Sequence, residues 1–95
     1  MTIGFGIIGT GRMGNVHAAA IAATAGAKLI GVADVDAERA QSLAKEHNLS
    51  HCFADYHDLL EIPEVTAVVV ATPDAEHRQP AVVADRAGRH VFQAL

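Results

Sequence analysis

Ile3-Gly4-Phe5-Gly6-Ile7-Ile8-Gly9-Thr10-Gly11-Arg12-Met13-Gly14 is the stretch that decides the fold. Ile3, Phe5, Ile7 and Ile8 make a short apolar strand that stops at Gly9, and a helix-competent stretch follows. Asp34 lies twenty positions beyond Gly14, at the end of a second apolar run. Three glycines alone say little. The strand before them, the helix after them and an acid at that distance together read as a dinucleotide-binding fingerprint.

Each position has a chemical reason. Gly9 permits the tight turn out of the strand, where a side chain would strain the backbone. Gly11 lets the backbone approach a pyrophosphate, and Gly14 lets the following helix pack hard against the sheet. That helix starts near Arg12 and aims free N–H groups and a positive dipole end at the phosphates. Arg12 adds a cation beside them, and Met13 completes the expected cofactor-binding turn. Asp34 is expected to accept hydrogen bonds from the adenosine ribose hydroxyls. A carboxylate there repels a 2′-phosphate, which argues for NAD over NADP.

Ninety-five residues make one small domain. Half the residues are hydrophobic (51%), but many are alanine and tryptophan is absent, so marginal stability without a ligand or partner is expected. A formal charge of −4 with scattered Lys and Arg argues against nucleic-acid and membrane-surface binding. Cys52 is the single cysteine, so no internal disulfide is possible and a reducing cytoplasm is the natural location. The N-terminus lacks the basic region of a signal peptide, and no apolar run is long enough to span a membrane.

The rest of the chain alternates strands and helices as a parallel α/β sheet requires. A helix over roughly Gly14 to Ala25 is closed by Gly26, and Ala27 to Ala33 is the second strand. Asp36 caps the next helix, whose Ala37, Ala40, Leu43 and Ala44 recur on one buried face. His51 to Ala54 is a short third strand, and Asp55 caps a helical turn that ends before Pro63. Val65 to Ala71 reads as a buried parallel strand, Thr72-Pro73-Asp74 as a loop, and a helix then runs to Ala87. Gly88 stops that helix and His90-Val91-Phe92 opens a fifth strand. The expected fold is therefore a Rossmann-type, doubly wound parallel sheet in three α/β/α layers. In such a sheet ligands sit outside the carboxyl ends of the strands where strand order reverses, here between the first and fourth strands. The loops after Ile8, Ala33 and Ala71 are the ones that reach a dinucleotide.

His47, His51 and His57 are near one another in sequence, yet none stands in a metal-ligand frame, and no metal site is expected. His17 lies one turn into the first helix, where packing and a cofactor contact are both open. Ser42 and Ser50 lack the glycine context of a nucleophile elbow.

Three motifs occur together in one order: Gly9-Thr10-Gly11-Arg12-Met13-Gly14 with His17, Ala71-Thr72-Pro73 with His77, and Ala87-Gly88-Arg89-His90-Val91-Phe92. With them the chain closely resembles the N-terminal domain of the Gfo/Idh/MocA (glucose-fructose oxidoreductase, inositol dehydrogenase) family over essentially its whole length. The resemblance implies an NAD(P)-dependent oxidoreductase acting on a sugar, cyclitol or related polyol. It implies that Ala71, Thr72 and Pro73 line the path toward the nicotinamide, with His77 on the same side. In the family a Glu-Lys-Pro motif follows the last of these strands, and its lysine assists catalysis. Here Gln93-Ala94-Leu95 follows, so no catalytic residue is carried over, and the substrate-binding domain is expected to be missing from these residues.

Three functions stay open on the sequence. The chain is the NAD-binding module of an oxidoreductase completed by a catalytic domain elsewhere, a non-catalytic nucleotide-binding or interaction module, or a fragment without independent function. Self-association at Val91-Phe92 is a further expectation.

Overall fold

The computed structural model describes residues 2–72 and 78–93. Its elements are β1 (Ile3–Ile8), α1 (Arg12–Ala22), β2 (Ala27–Ala33), α2 (Ala37–Glu46), β3 (His51–Phe53), α3 (Tyr56–Leu60), β4 (Ala67–Val70), α4 (Arg78–Arg86) and β5 (His90–Gln93). The five strands form one sheet in the order β3-β2-β1-β4-β5. Every neighbouring pair is parallel. The chain builds outward from β1 in both directions, so right-handed crossovers put α1 and α2 on one face and α3 and α4 on the other.

Two separate apolar layers result. Ile7, Leu29, Val32 and Val69 face α1 and α2, meeting Ala18, Ile21, Ala40, Leu43 and Ala44. Ile8, Ala33, Val68 and Val70 face the other way, where Leu59, Leu60, Val65, Ala81 and Ala84 cover them. Leu59 is fully buried at the centre of this second layer. Leu59→Ala is expected to cost about 2–5 kcal/mol of stability, read as a lower urea midpoint.

A bulge reconciles β2 with this two-sided burial. Phe5 pairs with Leu29, but Gly6 pairs with Gly31, so Ile30 is an extra residue opposite β1. The extra residue resets the alternation. Leu29 and Val32 thereby face the same layer, while Ile30 packs on the opposite one.

Most expected elements are present, with differences at their ends. α1 stops at Ala22 rather than Ala25, because the chain must turn back to bring Ala27 alongside Ile3. The Thr24 hydroxyl donates back to the Ala20 carbonyl, Gly26 takes φ +83°, and the Gly26 carbonyl accepts from the Ile3 N–H. β4 starts at Ala67, two residues later than expected, since the Val65 N–H is spent on the Ile62 carbonyl in the preceding turn. Asp36 and Asp55 cap α2 and α3 by accepting from the N–H groups of Arg39 and His57. Of the expected buried face of α2, Ala40, Leu43 and Ala44 are buried, but Ala37 in the first turn is exposed. Arg89 of the glycine-arginine-histidine motif has a structural role: its guanidinium donates to the carbonyls of Leu60 (2.8 Å) and Ala87 (2.9 Å).

Candidate dinucleotide-binding site

The carboxyl ends of β1, β2 and β4 are stitched into one edge by backbone hydrogen bonds. Gly9 N–H donates to the Ala33 carbonyl and Ala71 N–H to the Ile8 carbonyl, both at 2.8 Å. Gly9 holds φ +96°, and a Cβ there would stand 2.8 Å from the backbone of Ala71 and Thr72. The turn after β1 and the loop after β4 therefore touch through the bare glycine. Sequence and topology had singled out these same loops.

Gly14 lies in the first turn of α1, and a Cβ on it would run into the Gly9 carbonyl. Gly11 differs. Among the described residues a Cβ there would meet only an Arg39 guanidinium nitrogen at 3.8 Å. None of them requires glycine at position 11, which leaves the space above it open to a ligand. Gly11 is also the N-cap of α1, and it supplies no side-chain cap; the first turn carries no acidic residue. The positive end of α1 faces that open space, with Arg12 and Met13 exposed beside it.

Asp34 is held more tightly than its expected role requires. Its side chain is only 4% exposed. Oδ2 accepts from the Thr10 N–H at 2.7 Å and the Thr10 hydroxyl at 2.9 Å, and Oδ1 accepts from the Asp36 N–H at 2.8 Å. The Arg39 guanidinium lies 3.2–3.3 Å from both oxygens and closes the solvent side. Burial pushes the Asp34 carboxyl up. The Asp36 and Thr10 N–H groups, the Thr10 hydroxyl and Arg39 outweigh it, leaving the pKa below the ordinary aspartate value. Asp34 is thus an ionised tie between the glycine turn and the end of β2, with Arg39 as its exposed partner.

Four residues near this edge were not singled out from sequence. Thr10 ties the turn to Asp34, and the Asn15 amide donates to the carbonyls of Thr10 (3.0 Å) and Gly11 (2.9 Å). Arg39 covers Asp34, and Val35 directly after Asp34 is 87% exposed. A hydroxyl residue between two fingerprint glycines and an arginine three positions past the Asp36 cap are the signals that could have found the first and third. Ala71 and Thr72 directly follow β4, and the Thr72 hydroxyl is buried without a partner among the described residues. Pro73 and His77 lie outside the described residues. His17 lines a cleft together with Phe5, Ile21, Val69 and Phe92.

The family model described as an oxidoreductase family with an NAD-binding Rossmann fold matches residues 3–94. An uncharacterized oxidoreductase of Bacillus subtilis, YrbE, is 36% identical over 87 residues, covering 92% of this chain and 26% of the relative. A myo-inositol dehydrogenase from Lactobacillus casei, solved with NAD(H) and myo-inositol, superposes with a TM-score of 0.90 at 28% identity, covering 98% of this chain and 28% of that one. The 3-ketoreductase KijD10 from Actinomadura kijaniata, in a variant solved with TDP-benzene and NADP, gives a TM-score of 0.90 at 26% identity, covering 98% and 30%. The chain thus spans about a quarter of the length of the relatives it matches. With a fingerprint turn, a parallel sheet of this order and a family match over nearly every residue, the chain belongs to the Gfo/Idh/MocA oxidoreductase family and is an NAD(P)-binding Rossmann domain of it.

Proposed function

We propose that the edge formed by β1, β2 and β4 binds NAD in preference to NADP, and that the chain is the cofactor half of an oxidoreductase acting on a sugar, cyclitol or polyol. The observation that carries this reading is the open space over Gly11, facing the uncapped N-terminus of α1. The N–H groups of that turn suit a pyrophosphate. Asp34 suits the adenosine ribose once Arg39 moves aside, and the exposed Val35 offers an apolar surface for the adenine. The unpartnered Thr72 hydroxyl, at the mouth of the β4 loop, is free to hydrogen-bond on the nicotinamide side.

Bound there, the cofactor supplies hydride transfer. This chain's own residues bind and orient it. The acid or base within reach of the substrate, and the substrate contacts, belong to the part of a relative's length that these residues do not span. The preference for NAD rests on the charge of Asp34. Arg39 offsets part of that charge, so discrimination against the 2′-phosphate is moderate rather than absolute.

Calorimetric titration of NAD and NADP into the folded chain tests the reading: saturable binding, tighter for NAD, is expected. Gly11→Ala isolates the site from the fold. Its Cβ enters open space, so stability should stay within about 0.5 kcal/mol of the parent. NAD affinity should fall by tenfold or more, since the methyl stands where the pyrophosphate must approach. Unchanged NAD affinity in Gly11→Ala would remove the pyrophosphate from this turn.

A further inference from the structure

An ionised carboxylate offers about four acceptor positions, two on each oxygen. On Asp34, Oδ2 has both of its positions taken, by the Thr10 N–H at 2.7 Å and the Thr10 hydroxyl at 2.9 Å. Oδ1 accepts from the Asp36 N–H at 2.8 Å, which leaves one position on that oxygen. Arg39 lies across it. A single guanidinium nitrogen, Nη2, is shared between Oδ1 at 3.3 Å and Oδ2 at 3.2 Å. Charge-assisted N–H···O bonds run at about 2.7–2.9 Å, so this contact is a long one. The Arg39 side chain is also 54% exposed, against 4% for Asp34. The short, buried bonds of Asp34 belong to Thr10 and Asp36, and the long outer one is the bond a ligand can replace.

The rest of the guanidinium spans the edge. Nε lies 3.6 Å from Asp36 Oδ2, and Nη1 stands 3.8 Å from the position a Cβ on Gly11 would take. One cation thus reaches from the acid suited to a ribose to the turn suited to a pyrophosphate. Its stem starts from a fixed point, since the Arg39 N–H donates to the Asp36 cap at 3.2 Å.

We propose that Arg39 selects between the two dinucleotides by acting on them in opposite directions, an inference that rests on the dinucleotide reading above. For NAD, a ribose hydroxyl needs the remaining position on Asp34 Oδ1. It has to displace Nη2, so Arg39 weakens NAD binding. For NADP, the 2′-phosphate brings a charge of about −1.5 to −2 beside an ionised carboxylate. Arg39 stands between the two anions, keeps Nη2 on Asp34 and donates to the phosphate with the rest of its planar fork. Without it the phosphate meets the bare carboxylate. Asp34 therefore sets the preference for NAD, and Arg39 narrows it.

Arg39→Met keeps an unbranched stem of similar helix propensity while removing the cation. Circular dichroism and the urea midpoint check that the variant is folded. Calorimetric titrations of NAD and NADP into parent and variant should then give a crossed response. NAD is expected to bind about two- to fivefold tighter, the equivalent of one exposed ion pair. NADP is expected to bind about tenfold weaker or more, as for losing a charge-assisted phosphate contact. A purely structural role would move both affinities the same way. Arg39→Lys, which keeps the charge without the fork, should fall between parent and Arg39→Met for NADP. Added salt should weaken NADP more steeply than NAD in the parent, and this difference should shrink in Arg39→Met. The fragments ADP and 2′,5′-ADP should repeat the crossed response, which places it at the 2′-phosphate. Weaker NAD in Arg39→Met would put the guanidinium on the pyrophosphate or the adenine and overturn the proposal. An unchanged ratio of NAD to NADP affinity would overturn it as well, with NAD binding to the parent leaving the dinucleotide site standing. A folded parent that binds neither dinucleotide would overturn both readings.

Discussion

Asp34→Ala is expected to destabilise the domain by about 3–5 kcal/mol, because three hydrogen-bond donors lose a buried carboxylate acceptor. The Thr10 N–H and hydroxyl and the Asp36 N–H would all lose their acceptor. Each stranded donor costs about 1–3 kcal/mol. A domain has a total stability of about 5–15 kcal/mol, so the loss is a large share of it. Urea unfolding measures the effect directly, and an unchanged midpoint would show that the tie between the glycine turn and β2 contributes nothing. Loss of NAD binding in Asp34→Ala therefore does not report on the ribose alone, because the glycine turn is released at the same time. Gly11→Ala is the cleaner probe of cofactor contact.

The same network sets an acid limit. The Asp34 pKa in the folded chain lies below the ordinary aspartate value of 3.8. The folded state therefore holds the proton less tightly than the unfolded state does. The Asp34 contribution is fully present above that ordinary value and is lost as pH falls through the lowered one. Stability followed by circular dichroism should fall in acid below about pH 4 in the parent, with this component absent from Asp34→Ala.

Gly14→Ala is the second large expected effect, and its sign separates local from tertiary physics. Helix propensity alone favours alanine over glycine by about 1 kcal/mol. The new Cβ would run into the Gly9 carbonyl, which is backbone and cannot rotate away. α1 must then back off from the turn, and overpacking of this kind costs about 1–3 kcal/mol. A net loss of about 2 kcal/mol is expected, together with weaker NAD binding because the N-terminus of α1 shifts. A stabilised Gly14→Ala would mean that α1 does not sit against the turn as described. Gly11→Ala, two positions into the same motif from Gly9, carries no such steric penalty, so the pair distinguishes a glycine needed by the fold from one needed by a ligand.

Much of the architecture was legible because its signals are local. The apolar run from Ile3 to Ile8, the glycine turn, the β-branched Val68-Val69-Val70 and the caps Asp36 and Asp55 each depend on residues a few positions apart. Alternation of strands and helices then leaves few topologies, and the switch point between β1 and β4 follows from chain order. Element ends were less legible. α1 gives up three residues and β4 two because the turns on either side must bring strands into register, a demand that no short window contains.

The sequence by itself determined the fold, the family and the three loops at the cofactor edge, since periodicity, glycines and caps act within a few residues. Tertiary structure alone decided how those loops are used. The Ile30 bulge comes from pairing β2 with β1 while both apolar layers are filled. The enclosure of Asp34 by Thr10 comes from hydrogen bonds across 24 residues of sequence, and Arg39 joins them only because α2 starts beside that carboxylate. Hydrogen bonds and packing between distant segments depend on register and layer geometry, and those are set only when the whole sheet has assembled.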